Sequence, residues 1–290
     1  MFKKIVALTL LVLVVLCIGK GWHWAKDGFH ILRVGTAFPA NREFSKPASL
    51  EANLALDQPF HFLGRGRQCY VFASRDGKYV LKLPRLNMFD LPFWVKACRF
   101  SCLDGYRKEL SERRSVREKF TLNSFQIAFD ELQDDTGVLY LHLYQTEDLK
   151  QTIVVRDCLG CKYRLDLDRT PFILQEKKAL MMPAFERSLK TGDVKGTQEI
   201  LEAFLIVIEN RARKGIFNKD SSFLPNFGYD GKKVVQIDIG SFYRKPGRGP
   251  EAFQDSFRET ARHVHEWLAR TDPEMMNWFD QRVEEKCSAY

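Results

Sequence analysis

Residues 215–220 read GIFNKD and residues 238–242 read DIGSF. Each stretch sets an aspartate at the end of a short apolar run: Asp220 follows Ile216 and Phe217, and Asp238 follows KKVVQI. Short apolar runs bounded by turn residues predict strands, so the two carboxylates are expected at the ends of two strands around a hairpin-like turn at YDGKK. Asn226 lies between them. Upstream, TQEILEAFLIVIENRARKG predicts a strong helix with Gly215 as its C-terminal cap. Downstream, EAFQDSFRETARHVHEWLAR predicts an amphipathic helix with Phe253, Phe257, Ala261 and Val264 on one face.

The half that precedes these elements has a different texture. In FHFLGRGRQCYVFASRDGKYVLKLPR, apolar and polar residues alternate, the pair Gly64 and Gly66 interrupts the first run, and RDG marks a tight turn. The expectation is a strand, a glycine turn, a strand, a tight turn and a strand carrying Lys82. Residues 103–132 are charged and helical in character, with Leu110, Val116 and Phe120 at roughly helical spacing. GVLYLHLYQ, TIVVRD, YRLDLD and PFILQ then predict further strands. The fold class is therefore α+β, with a β-rich first part and a mainly helical second part.

With 290 residues, 45 Lys+Arg against 37 Asp+Glu and 23 Phe, the chain has material for one large core or two lobes and is not disordered. Its net charge of +8 suits phosphates or anionic surfaces, but no dense Lys/Arg run of nucleic-acid type occurs. At the amino terminus Lys3 and Lys4 precede an apolar run from Ile5 to Ile18, followed by Lys20, Trp22 and Trp24. That run predicts a signal-anchor or transmembrane segment over residues 1–24, hence a single-pass membrane protein, or a secreted one if a signal peptide is cleaved. Residues 25–48 read as a linker, 49–177 as the first lobe and 178–290 as the second. Cys158 and Cys161 form a single C-x-x-C among seven cysteines, short of the four ligands of a structural zinc site. These two, or Cys98 and Cys102, are expected as disulfides in an exported domain and as free thiols otherwise.

Two strand-end carboxylates, an amide between them, a strand lysine and a glycine turn form a set with one chemistry in common. Moving a phosphoryl group needs a cover for the phosphates, a cation on their oxygens, hard oxygen ligands for a metal and a carboxylate to orient the acceptor hydroxyl. Gly64 and Gly66 let backbone approach phosphate without a Cβ in the way, and Glu118 or Glu112 on the following helix could hold Lys82. Glu118 is preferred because Phe120 and Leu122 follow it like a buried face. Gln175 and Glu176, at the end of PFILQE, suit a hinge that meets adenine through backbone groups.

The chain resembles the protein-kinase-like superfamily. GRGRQCYV followed by VLK is similar to the glycine-rich loop and strand lysine of that group, GIFNKD to its GIVHRD and DIG to its DFG. The resemblance runs from Phe60 to Phe242. The short tail without APE is similar to that of atypical bacterial kinases such as lipopolysaccharide-core and sugar kinases. It implies a bilobal fold binding ATP and Mg²⁺, with Lys82 on the α- and β-phosphates, Glu118 anchoring Lys82, Asp220 as catalytic base, and Asn226 and Asp238 on the metal. It implies as acceptor a hydroxyl on a protein, sugar or glycolipid. Three departures stand out: Cys69 replaces the third glycine, Asn218 and Lys219 replace His and Arg before the base, and Asn226 follows Asp220 by six residues instead of five. The alternative is a pseudokinase, which binds nucleotide without turnover, or a membrane-anchored interaction module.

Overall fold

The computed structural model describes the chain apart from residues 1–9, 11–13, 15, 16, 18, 23, 36, 37, 39–45, 98, 99, 221, 222, 246–248 and 290. In chain order it runs through α1 (Leu50–Leu56), β1 (Phe60–Arg65), β2 (Cys69–Ser74) and β3 (Tyr79–Pro84). Next come α2 (Phe93–Ala97), α3 (Asp104–Glu131), α4 (Gln133–Thr136), β4 (Val138–His142), β5 (Thr152–Arg156), β6 (Lys162–Asp166) and β7 (Phe172–Glu176). The remainder is β8 (Ala179–Leu180), α5 (Met181–Lys190), α6 (Val194–Arg213), β9 (Ile216–Asn218), α7 (Phe223–Asn226), β10 (Phe227–Tyr229), β11 (Val234–Gln236), β12 (Phe242–Arg244), α8 (Pro250–Thr271) and α9 (Pro273–Ser288). The architecture is mixed α+β and divides into two units that interleave in sequence: Met1–Pro92 with His142–Gln175, and Phe93–Leu141 with Glu176–Tyr290. The helix bearing Glu118 thus belongs with the C-terminal elements and not with the preceding strands.

The first unit is a sheet with strand order β7-β3-β2-β1-β5-β6. Its β2–β3 turn is set by local chemistry. Ser74 Oγ donates to Asp76 (2.6 Å), Asp76 accepts from Lys78 N, and Gly77 takes φ +72, which a side-chain-bearing residue resists. Phe60, Tyr70, Phe72, Leu81, Leu83 and Val155 are buried. Residues 26–29, in the stretch expected to be a linker, are built into this unit. Phe29 packs on Phe62, Tyr70, Phe72 and Tyr163, with ring centroids 5.0–5.6 Å apart. Lys26 Nζ donates to Tyr163 OH (2.7 Å) and pairs with buried Asp157 (2.9 Å), which also accepts from Tyr163 OH. Burial works against the Asp157 carboxylate, but these bonds outweigh it and hold its pKa below the usual range.

The second unit is built on α6 and α8. Asp193 caps α6 by accepting from Gly196 N (2.9 Å), and Gly215 leaves it at φ +66. Leu201, Phe204, Leu205 and Ile208 of α6 share a core with Phe253, Phe257, Ala261, Val264 and Leu268 of α8 and Phe279 of α9. The α8 face is the one its sequence predicts.

Two expectations are corrected. Among the described residues no helix is long and apolar enough to cross a membrane, which overturns the expectation of a single-pass membrane protein. The apolar run Ile5–Ile18 on which it rested lies mostly outside the described residues. The strand pairing also differs. YDGKK is the turn between β10 and β11, which pair antiparallel, while β9 pairs with β12. Asp230 Oδ1 accepts from Lys232 N and Lys233 N and Gly231 takes φ +100, so the turn closes on Phe227–Tyr229, a strand the sequence reading missed. All six described cysteines are free thiols; Cys98 is outside the described residues.

Candidate functional site

The geometry around Asp220 and Asp238 follows from one short ladder in the second unit. β9 and β12 run antiparallel with Asn218 opposite Phe242 and Phe217 opposite Tyr243. Lys219 N extends it by donating to Ser241 O (2.9 Å). Asp220 therefore leaves β9 beside the segment Asp238–Ser241 that enters β12. Asn218 is buried, and its Oδ1 accepts from Asp220 N (3.1 Å), fixing the backbone at the aspartate. Both Asp220 and Asp238 are half-buried.

Asn226 is brought to the same place. Its backbone oxygen accepts from Ile237 N (2.8 Å) and from Asp238 N (3.4 Å). The residue is only 4% exposed, and Nδ2 has no hydrogen-bond partner among the described residues. A side-chain amide oxygen and a carboxylate are ligand types that suit a hard divalent cation. Among the described residues no group of three or more His, Cys, Asp or Glu is arranged to hold a metal, so any ion here would rest on Asp238, Asn226 and ligands from solvent or substrate.

Two residues that sequence reasoning passed over hold this segment. Ser124 on α3 is fully buried. Its Oγ donates to Ile239 O (2.6 Å) and accepts from Phe242 N (2.6 Å), stapling the D-x-G turn from both sides. Arg211, in the last turn of α6, is also fully buried. Nη1 donates to Gln236 Oε1 (2.5 Å) and Nη2 to Thr260 Oγ1 (2.6 Å), and the Phe242 ring lies 6.0 Å from the guanidinium carbon. It thus links the strand two residues before Asp238 to α8. Burial pushes its pKa down to about 10. Its only signal in the sequence was a cation on the apolar face of a helix.

Glu118 is half-buried and Glu112 exposed on α3. Glu176 lies at the end of β7. Its N–H donates to Gly137 O (2.8 Å) and its carboxylate pairs with Lys178 (2.9 Å). Lys178 also pairs with Asp230 (2.7 Å), and that hydrogen bond holds the Asp230 carboxyl down at about 2.

Gly64, Gly66 and Lys82 lie in the first unit. Gly66 N donates to Cys69 O (2.9 Å) to close the β1–β2 hairpin, and a bulge falls between Phe62 and Gly64. Lys82 stands opposite Val71 on β3.

No family model matches the chain, and no curated protein matches it. Among solved structures it is similar to WbdD, described as a bifunctional kinase-methyltransferase, at 16% identity and TM-score 0.37, over 79% of this chain and 45% of that one. It is also similar to Rv3197 from Mycobacterium tuberculosis, solved with erythromycin, at 17% identity and TM-score 0.36, over 75% of this chain and 54% of that one. The chain spans about half the length of the structures it matches.

Proposed function

We propose that the protein is a phosphotransferase with a bilobal kinase-like fold, moving the γ-phosphoryl group of ATP onto a hydroxyl of a protein, sugar or glycolipid. The observation that carries this reading is the β9–β12 ladder. It sets Asp220 beside the Asp238 turn, while Asn226 O accepts from Asp238 N. Asp220 orients the acceptor hydroxyl and receives its proton as the oxygen forms a bond to the γ-phosphorus. The bond from that phosphorus to the β–γ bridging oxygen breaks, and ADP leaves. Asp238 and Asn226 are the residues that would hold Mg²⁺, which when bound neutralises charge on the β- and γ-oxygens. Lys82 supplies a cation for the α- and β-phosphates, Glu118 orients Lys82, and Gly64 and Gly66 cover the phosphates with backbone.

The test is the thermal unfolding midpoint of the full chain with ATP, with Mg²⁺ and with both, since a ligand of the native state raises the midpoint. A rise that needs both and is lost in Asp238→Ala supports the site. Equal stabilisation of parent and Asp238→Ala by Mg·ATP removes Asp238 from it. One observation favours a second reading, nucleotide binding without turnover: Asn226 follows Asp220 by six residues, and its side chain is buried. A rise with ATP alone selects that reading.

A further inference from the structure

A cavity of about 720 Å³ opens on the first unit, bounded by the segment before β1, the β2–β3 turn and the β5–β6 hairpin. Its volume falls within the roughly 300–1,000 Å³ of small-molecule sites. Four lining side chains are cations, Arg75, Arg156, Lys162 and Arg164, against a single acid, Asp57. The register explains why three of them converge. Val154 is opposite Arg164 and Arg156 is opposite Lys162, so these four share one face of the hairpin. Ile153, Val155 and Leu165 take the other face and are buried.

Among the described residues none of the four cationic side chains has an ion pair or hydrogen bond. The Nε of Arg156 is buried without a partner. Unpaired like charges lining one concavity repel each other, and the field they focus attracts an anion. Guanidinium forks match phosphate oxygens two at a time. Between the cations Leu56, Pro59 and Val154 give the cavity an apolar side on which a carbon skeleton can lie.

We propose that this cavity binds a phosphorylated polyol or sugar bearing at least two phosphate groups, either free or as a lipid headgroup. The site is separate from the phosphoryl-transfer residues: Gly64, Gly66 and Lys82 do not line it, and β2 and β1 lie between β3 and β5 in the sheet. It does not depend on the proposed function.

The experiment is calorimetric titration of the full chain with inositol hexakisphosphate and with inorganic phosphate, and vesicle sedimentation with phosphatidylinositol bisphosphate or phosphatidylglycerol. The polyphosphorylated probes should bind and the monophosphates should bind far more weakly. Arg156→Gln with Arg164→Gln should weaken binding by about a hundredfold, about tenfold for each charge-assisted hydrogen bond removed. The unliganded unfolding midpoint should not fall, because Arg164 is exposed and half-buried Arg156 has no side-chain partner to lose. Asp238→Ala should leave the affinity as it was. Preference for hexakisphosphate in solution assigns a free ligand, and preference for the bisphosphate vesicle assigns a headgroup. Failure of every polyphosphorylated probe to bind, affinity indifferent to the double substitution, or affinity abolished in Asp238→Ala would each overturn the proposal.

Discussion

The backbone from Asp238 to Phe242 is tied to buried neighbours, through Asn226 O on one side and Ser124 Oγ on the other, and runs on into the β9–β12 ladder. The turn from Gly64 to Cys69 is closed by Gly66 N to Cys69 O, and Arg85 Nη1 reaches Gly66 O and Arg67 O at 3.4 Å. A Cβ added at Gly64 would meet nothing within 4 Å, and at Gly66 only Cys69 O at 3.5 Å. Packing thus dictates the conformation around Asp238, while beside the backbone of Gly64 and Gly66 there is open space. Open space beside the backbone is what the proposed function asks of residues that cover phosphates.

Substitutions can break this contrast. The largest effect is expected from Arg211→Ala, which opens a cavity and strands Gln236 and Thr260: about 3–5 kcal/mol, read as a shift in denaturant midpoint. Ser124→Ala leaves Ile239 O and Phe242 N unsatisfied in the interior and should cost about 2–3 kcal/mol by the same measurement. An unchanged midpoint for Ser124→Ala would show that the D-x-G turn stands without its staple. A smaller effect comes from Asp230, whose folded pKa of about 2 lies below the ordinary value near 3.8. Its contribution is complete above about pH 4 and disappears as pH falls through about 2. Because the pair is partly exposed, the difference between the parent and Lys178→Met should be at most about 1 kcal/mol over that window. Smallest is Gly64→Ala, expected to leave stability within about 0.5 kcal/mol while weakening stabilisation by Mg·ATP. A large drop in stability there would mean that the fold itself requires this glycine.

What was legible in the sequence was local. The apolar face of α8, the Gly215 cap and the RDG turn each depend on neighbours a few residues away, and all three are found as expected. The aspartates at strand ends were legible for the same reason. The partners of those strands were not: β9 pairs with β12 across intervening β10 and β11, and nothing in GIFN or FYR favours that choice over YDGKK. Ser124 and Arg211 escaped notice because their roles are set by bonds to residues 115 and 25 positions away. A buried serine or a desolvated arginine looks in sequence like any other helix residue. Glu118 is half-buried where Glu112 is exposed, but the buried side of α3 is marked by Thr121, Ser124, Phe125 and Ala128 rather than by Phe120 and Leu122, which are half-buried.

The Lys26–Asp157–Tyr163 cluster bears on where the polypeptide can be trimmed. A chain beginning at Asp27 would keep the aromatic docking of Phe29 but discard the ammonium that neutralises Asp157, whose side chain is fully shielded from water. Its phenolic partner Tyr163 cannot supply that charge. Such a trimmed chain would leave the Asp157 carboxylate, in the turn of the β5–β6 hairpin, with its hydrogen bonds from Tyr163 OH, Leu159 N and Cys161 N but without a countercharge. Cutting ahead of Trp22, whose ring lies 4.8 Å from the Lys26 ammonium, retains both the cation and the indole that shelters it.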